Sequence, residues 1–457
     1  MKVLLIEPPQ AGKNITRNMA AGFGFDASSQ TRLPPLDLAL LAAELKRKRN
    51  EILLIDSDME NLSLQEIVRR IQEFNPEVII PSVSLPSLIA DSNFIKEVKN
   101  KTDAIIFART SISFKPILKE ILVRSKADYC LFGEVELEID KIIKGKSKKG
   151  TARLRKKELL VDKIELIKNL DLLPFPARDL LKNQKYQYPL LGSNCSIIQT
   201  SRGCPFACAY YCPYPLIQGH KWRAMSSGRV YMELADIVRR HKIKKVLFRD
   251  ATFSLDKKRT IEICQKIMEK KLHFSWWCET RVNCLDEEIL KIMRKSGCRG
   301  INIGVETGDN FVMEKQGKPG VDINQLIALK KTADRVGMKL HFLILIGLPQ
   351  ETRCSLYSTF KLVKKLNPYS LGVTTITPYP GTKLYEEAVG KNWIETQEWS
   401  KYRGNLATMH TDNLTSRQIK IAQRLIQGEL FLLKKGLWGK IGLFIEDIFF
   451  RIWAKIW

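Results

Sequence analysis

The chain contains ten cysteines, at 130, 195, 204, 208, 212, 264, 278, 284, 298 and 354. Three of them crowd into Thr200-Ser201-Arg202-Gly203-Cys204-Pro205-Phe206-Ala207-Cys208-Ala209-Tyr210-Tyr211-Cys212-Pro213-Tyr214-Pro215. One glycine and three prolines make this stretch a loop. Three thiolates on one short loop can each bind one iron of a four-iron cluster. The fourth iron then stays open to an incoming ligand, as a redox catalyst requires. A structural zinc ion would take four ligands, and Cys195 could supply the fourth, so zinc stands as a second reading. No secretory leader is expected, since Met1-Lys2 runs straight into Val3-Leu4-Leu5-Ile6, which is too short for a signal core and reads as a buried strand. A reducing compartment is therefore expected, and clustered thiols there are metal ligands before they are disulfides.

Two regions of alternating strand and helix signals must position that loop. Residues 1–145 predict strands at Val3–Ile6, Glu51–Ile55, Val78–Val83 and Ala104–Ala108. Helices are predicted at Leu36–Arg49, Leu64–Phe74, Phe94–Lys99 and Phe114–Ser125. That rhythm is the signature of a doubly wound parallel sheet, which binds ligands beyond the carboxyl ends of its strands. Residues 146–190 form a linker; its lysine-rich start, 144–157, has few apolar anchors and reads as an exposed connection. Residues 191–400 predict six strands: Ser196–Thr200, Lys245–Arg249, Phe274–Cys278, Gly300–Val305, Lys339–Ile346 and Tyr369–Thr375. With helices between them, this is an α/β architecture and a partial β/α barrel. Residues 401–457 form a helical, basic, amphipathic region.

The cysteine loop resembles that of the radical S-adenosylmethionine superfamily, in the subgroup with an N-terminal cobalamin-binding-like domain. Arg-Gly-Cys-Pro-Phe at 202–206 and Cys-Pro-Tyr-Pro at 212–215 match both flanks. The family spaces its cysteines by three and then two residues. Here Ala209-Tyr210-Tyr211 makes the second gap three, which predicts an inserted residue absorbed by a bulge in the loop. The resemblance implies a 4Fe-4S cluster on Cys204, Cys208 and Cys212. It also implies S-adenosylmethionine chelated on the open iron, and a 5′-deoxyadenosyl radical that abstracts a substrate hydrogen.

Further stretches extend the likeness over most of residues 1–400. Val246-Leu247-Phe248-Arg249-Asp250-Ala251-Thr252-Phe253 resembles the second barrel strand, where Asp250 would lie near the cofactor's amino group or merely cap a turn. Trp276-Trp277-Cys278-Glu279-Thr280-Arg281-Val282 resembles the third. Glu279 and Arg281 share one face by strand alternation. Arg281 would pair with the carboxylate of S-adenosylmethionine, or the two residues would serve an internal salt bridge at the barrel mouth. Gly304-Val305-Glu306-Thr307-Gly308 resembles the fourth strand and brings Glu306 to the cofactor or substrate pocket. Leu345-Ile346-Gly347-Leu348-Pro349-Gln350-Glu351-Thr352 resembles the fifth, where the backbone at Gly347 would lie against adenine. Thr377-Pro378-Tyr379-Pro380-Gly381-Thr382 resembles the end of the sixth, where substrate approaches. The resemblance assigns no catalytic side chain beyond these cofactor-binding positions.

In the first domain, Glu7-Pro8-Pro9, Leu33-Pro34-Pro35-Leu36-Asp37-Leu38 and Phe132-Gly133-Glu134-Val135-Glu136 resemble the cobalamin-binding-like fold. The domain contains no histidine, so a bound cobalamin would take no lower axial His from it. Ala108-Arg109-Thr110-Ser111 stands where a glycine-rich turn is usual, so bulkier residues meet an approaching corrin. The other expectation is a domain that only packs on the barrel or shapes the substrate site.

The net charge of +26 favours anionic partners or reflects a general basic bias. Residues 415–457 hold eight Lys or Arg against three Asp or Glu, a surplus of +5. Leu437-Trp438-Gly439-Lys440-Ile441-Gly442-Leu443-Phe444-Ile445 and Ile448-Phe449-Phe450-Arg451-Ile452-Trp453 set aromatic residues beside cations. This suits a helix lying in an anionic membrane interface, or one whose apolar stripe caps the barrel. No reading motif for nucleic acid accompanies the charge, and nucleic acid ranks last among the partners.

The leading expectation is an enzyme that modifies an unactivated carbon, by cobalamin-dependent methyl transfer to an apolar or lipid-like substrate. It would be fed electrons by a flavodoxin or ferredoxin, in the cytoplasm or at the inner face of the membrane. A cobalamin-independent radical cyclase or rearrangement enzyme, and a non-catalytic paralogue that has lost the cluster, are the alternatives. A methylthiotransferase acting on RNA would need a second cysteine cluster, and residues 1–129 contain no cysteine.

Overall fold

The computed structural model describes all residues except 10–14, 18, 27–30, 316–321, 434–435 and 456–457. Of residues 207, 209, 429–433, 436–441, 443, 444 and 455 it describes the backbone alone. The chain divides into two compact units: residues 1–204 with 213–247, and residues 205–212 with 248–457.

The first unit is built on a seven-stranded sheet. Its strands are β1 (Lys2–Glu7), β2 (Glu51–Asp56), β3 (Val78–Pro81), β4 (Ile105–Thr110), β5 (Tyr129–Phe132), β6 (Thr151–Arg155) and β7 (Glu158–Val161), in the spatial order β2-β1-β3-β4-β5-β6-β7. The first five are parallel, with Val3 opposite both Ile52 and Val78 and Phe107 opposite Tyr129. Helices α1 (Leu36–Arg47), α2 (Leu64–Phe74), α3 (Leu88–Lys99) and α4 (Lys115–Ser125) make the crossovers. A parallel sheet covered on both faces needs near-continuous apolar strands, and Val3, Leu4, Leu5 and Ile6 are all fully buried. Helix α2 shows how local sequence sets a boundary. Ser63 accepts from the Glu66 amide while Glu66 accepts from the Ser63 amide, and Asn75 ends the helix in a left-handed conformation.

The lysine-rich stretch at 144–157 is not merely a connection. It leads into β6 and β7, an antiparallel hairpin that extends the sheet, with Arg155 opposite Glu158. Lys156 and Lys157, at φ 48° and 70°, make the two-residue turn. Turns of this hand normally advertise themselves with Asn-Gly. Two lysines there, on an edge strand that is itself charged, hide the signal while protecting the edge.

In the second unit, β10 (Ser275–Thr280), β11 (Cys298–Glu306), β12 (Lys339–Ile346) and β13 (Ser370–Thr375) pair in parallel and in chain order. Two strands precede them in the chain, β8 (Cys195–Ile198) and β9 (Lys245–Phe248), with helix α5 (Ser227–Ala235) between. The later connections run through α6 (Lys257–Glu269), α7 (Glu287–Lys295), α8 (Ile323–Arg335), α9 (Arg353–Leu366) and α10 (Lys383–Gly390). Asp256, Asp286, Asp322, Thr352 and Thr382 each cap the helix that follows with a side-chain oxygen, which turns the chain cleanly out of each loop. The fold is thus a doubly wound sheet, a partial β/α barrel and a helical tail. Helix α5 ends at Ala235, and a π-turn carries residues 236–240 toward β9.

The tail consists of α11 (Ser416–Leu433) and α12 (Gly436–Lys455). One face of α12 packs on α9: Phe450 is fully buried against Phe360, ring centroids 5.0 Å apart, and Asp447 accepts from Tyr357 and Lys364. Another face exposes Ile445, Ile448, Phe449 and Ile452. The aromatic and cationic side chains expected at 437–441, like Lys434 and Lys435, lie outside the described residues.

Candidate active site

A two-residue strand, Ser201–Arg202, pairs antiparallel with Arg223–Ala224 and delivers the chain to Cys204. Arg202 is buried and anchored to Glu136 at 2.7 Å, while Glu134 is gripped by both Nη atoms of Arg223 at 2.7 Å. Gly203 turns the chain at φ 84°; a β-carbon there would meet the Lys221 carbonyl oxygen at 2.2 Å, so no other residue fits. Cys204 itself is buried, and its amide donates to the Gly219 carbonyl.

Cys208 and Cys212 belong to the second unit. Ala207–Tyr210 form a 3₁₀ turn, and the Cys212 amide donates to the Cys208 carbonyl at 3.0 Å. The extra residue is therefore wound into a helical turn, not pushed out as a bulge. The Tyr211 amide donates to the same Cys208 carbonyl at 3.2 Å, so the turn closes on Cys208 and brings the backbone of Cys212 back to it. None of the three cysteines is in a disulfide.

Arg281, just past β10, faces this turn. Its guanidinium lies over the Phe206 ring at 3.8 Å, Nε donates to Asn283, and Nη1 points to the Cys208 sulfur at 4.0 Å. Nη2 is buried and has no hydrogen-bond partner among the described residues. Tyr211 is close enough to Glu306, Cys208, Cys212 and Arg281 to feel all four. Burial first, then the Glu306 charge, pushes its phenol well above the ordinary range.

The remaining predicted positions surround the ends of the barrel strands. Glu306 ends β11 in the left-handed region, φ 64°, beside a register shift in the pairing with β12. A glutamate pays for that conformation in strain, which is characteristic of functional sites. Glu279 is engaged in an internal ion pair: Arg249 donates to it at 2.5 Å, and Asn302, itself bonded to Trp277, donates at 3.2 Å. The structure separates Glu279 from Arg281 in role, since Arg249 and not Arg281 is its partner. Asp250 is fully buried and lies near Cys278, whose thiol burial chiefly drives up.

Gly347 follows β12 at φ 92°, where a β-carbon would press on Ile419 at 2.9 Å. Its amide and that of Leu348 both donate to Glu351, at 2.7 and 3.1 Å. Glu351 is fully buried, and burial raises its carboxyl to about 8. Sequence reading passed over Glu351, although a glutamate four residues after a strand-ending glycine is well spaced to fold back on that turn. Arg249 was passed over too, because nothing in its own strand names its partner. Tyr379, after β13, is buried near Cys212.

Among the described residues no three His, Cys, Asp or Glu side chains are gathered closely enough to hold one metal ion. A cubane takes each thiolate on a different iron and sets its ligand sulfurs farther apart. Cys195, the possible fourth zinc ligand, sits in β8 with its thiol pushed up to about 12 by burial. Three buried or half-buried soft thiols with a guanidinium beside one of them fit an iron–sulfur cluster.

Comparison with known proteins agrees with this geometry. Residues 198–363 match the model of the Radical SAM superfamily. The chain is 32% identical over 98% of its length, and 95% of the other's, to the uncharacterized methyltransferase PH0819 of Pyrococcus horikoshii. It is 25% identical, over 78% of its length and 68% of the other's, to hopanoid C-3 methylase of Methylococcus capsulatus. In fold it is similar to the cobalamin-dependent S-adenosylmethionine radical enzyme OxsB, with a TM-score of 0.75, 16% identity and coverage of 99% of this chain and 71% of that one. It is also similar to the radical S-adenosylmethionine methyltransferase TsrM of Kitasatospora setae, with a TM-score of 0.67, 16% identity and coverage of 85% and 76%. From its cysteine loop through its barrel, the chain belongs to the Radical SAM superfamily.

Proposed function

We propose that this enzyme is a cobalamin-dependent methyltransferase acting on an unactivated carbon, with Cys204, Cys208 and Cys212 as the three ligands of its 4Fe-4S cluster. When bound, the cluster supplies the single electron that cleaves S-adenosylmethionine. The chain's own residues bind and orient. Arg281 offers its spare Nη2 donor to the carboxylate of S-adenosylmethionine. Asp250 would receive the amino group, Gly347 would let adenine approach the backbone, and Glu351 fixes that turn. Glu306 would face the cofactor or substrate. The observation that carries this reading is the Cys208–Cys212 turn, with Arg281 set against it.

Cobalamin fits the carboxyl edge of the first sheet, where open parallel sheets take their ligands. Asp37 Oδ1 and Ser57 Oγ are buried there without a hydrogen-bond partner among the described residues. Glu7, at the end of β1, is raised to about 8 by burial, with Arg17 beside it opposing the shift. The naming of OxsB as cobalamin-dependent supports the assignment. Anaerobic reconstitution with cobalamin and S-adenosylmethionine tests it. Formation of 5′-deoxyadenosine together with S-adenosylhomocysteine supports methyl transfer, and 5′-deoxyadenosine alone favours a rearrangement or cyclisation.

The exposed apolar face of α12, and the likeness to a hopanoid C-3 methylase, support an apolar substrate reached from a membrane surface. Ile445, Ile448, Phe449 and Ile452 recur at helical spacing on one exposed face, and Arg451 beside them is exposed. No helix among the described residues is long and apolar enough to cross a membrane. Co-sedimentation with anionic vesicles is the test: wild type should pellet with them and I448E/F449E should not, and equal recovery of both proteins removes this part.

A further inference from the structure

The lengthened Cys208–Cys212 segment raises a problem of registration. In a 3₁₀ turn each residue advances about 120°, so one added residue swings Cys212 by that amount relative to Cys208 unless something fixes the turn. Resting on the cluster reading above, we infer that Tyr210 and Glu387 are a positioning pair that holds the extra residue and so sets the direction of the Cys212 sulfur.

The Tyr210 hydroxyl donates to Glu387 Oε2 at 2.5 Å, across 177 residues of chain. Glu387 lies on α10, and its carboxylate is itself fixed: Lys391 stands 3.0 Å from Oε1 and reaches Asp412 at 3.3 Å. Asp412 in turn accepts from the Trp393 indole at 2.8 Å. The tyrosine therefore bonds to a preset acceptor and not to a loose surface carboxylate. The rings of Tyr210 and Tyr211 also pack against the buried cluster that includes Leu348, Ile376, Leu384 and Trp393. Consecutive residues in the turn point in different directions. Tyr210 is thus committed to α10 while Tyr211 stays beside Glu306 and Arg281. With both tyrosines held, the Cys212 amide is brought onto the Cys208 carbonyl. A chain with the shorter spacing has no residue to secure at this point; the added residue and its distant acceptor form one device.

The experiment compares wild type, Y210F, E387A, the double variant and E387Q, each reconstituted anaerobically with iron and sulfide. Three quantities are read: the rate at which an iron chelator strips the cluster, the electron paramagnetic resonance line shape of the reduced cluster, and the melting temperature of the cluster-free chain. Y210F and E387A should lose iron about tenfold faster, as expected for one lost charge-assisted hydrogen bond. The line shape should change while the melting temperature of the cluster-free chain holds. The double variant should be no faster than either single one, because both remove the same contact. E387Q, whose amide oxygen still accepts the phenol but without the charge, should strip at a rate between those of wild type and E387A. Single variants that strip at the wild-type rate overturn the proposal, as does a double variant whose effect is the product of the two. A wild-type chain that takes up no cluster overturns the cluster reading itself and this proposal with it.

Discussion

Arg281 holds its Nη1 4.0 Å from the Cys208 sulfur, braced over the Phe206 ring, and keeps a second buried amino group in reserve. A cation so placed serves two ends: it lies beside a thiolate and it offers a donor to a carboxylate. R281Q is expected to keep its iron yet weaken binding of S-adenosylmethionine between about ten- and a hundredfold, the usual range for a charged hydrogen bond. R281K should not restore it, since an ammonium lacks the planar fork. Titration calorimetry on the reconstituted protein reads both affinities.

The Arg249–Glu279 pair predicts a stability effect. Arg249 is buried, whereas the Glu279 side chain keeps 21% of its exposure, so the pair is partly screened. Removing one partner of a buried pair leaves a charge in a poor environment. E279A should destabilise the chain by about 2 kcal/mol and E279Q by less. Urea unfolding measures it; an unchanged midpoint for E279A would show that the pair contributes nothing.

Glu306 predicts the opposite trade. A non-glycine residue in the left-handed region costs about 1 kcal/mol or more, and glycine relieves that strain. E306G should therefore raise the melting temperature while lowering turnover of S-adenosylmethionine. A variant that is both less stable and fully active would contradict the functional placing of Glu306.

Glu351 ties stability to pH. Its carboxyl is raised by burial from 4.5 to about 8. Between those values the folded chain keeps a proton that the unfolded chain has lost, so its contribution is fullest below 4.5 and disappears as pH rises through about 8. The wild-type melting temperature should fall across that interval more steeply than that of E351Q, whose amide oxygen still accepts from Gly347 and Leu348. Parallel slopes for the two proteins would remove Glu351 as the cause.

Much of this was legible in the sequence where local pattern and burial agree. The strand Lys339–Ile346 alternates toward core and interior and is found where its residues predict it. The cysteine loop announced its chemistry because three soft ligands in so short a span have few other uses. What escaped sequence reading was decided elsewhere in the chain. Tyr210 looks like an insertion until Glu387 is brought to it, and nothing in the sequence names Arg249 as the partner of Glu279. The hairpin at Lys156-Lys157 escaped because its turn chemistry is atypical, and Glu351 because its burial, and not its position in the motif, gives it weight.

The most direct test is iron counting on the anaerobically reconstituted chain, side by side with C204A, C208A and C212A. Wild type should hold about four irons and show the charge-transfer absorption of a cubane, and each substitution should abolish it. A wild-type chain without iron, or one whose cluster survives the loss of Cys212, would contradict the assignment of these three sulfurs.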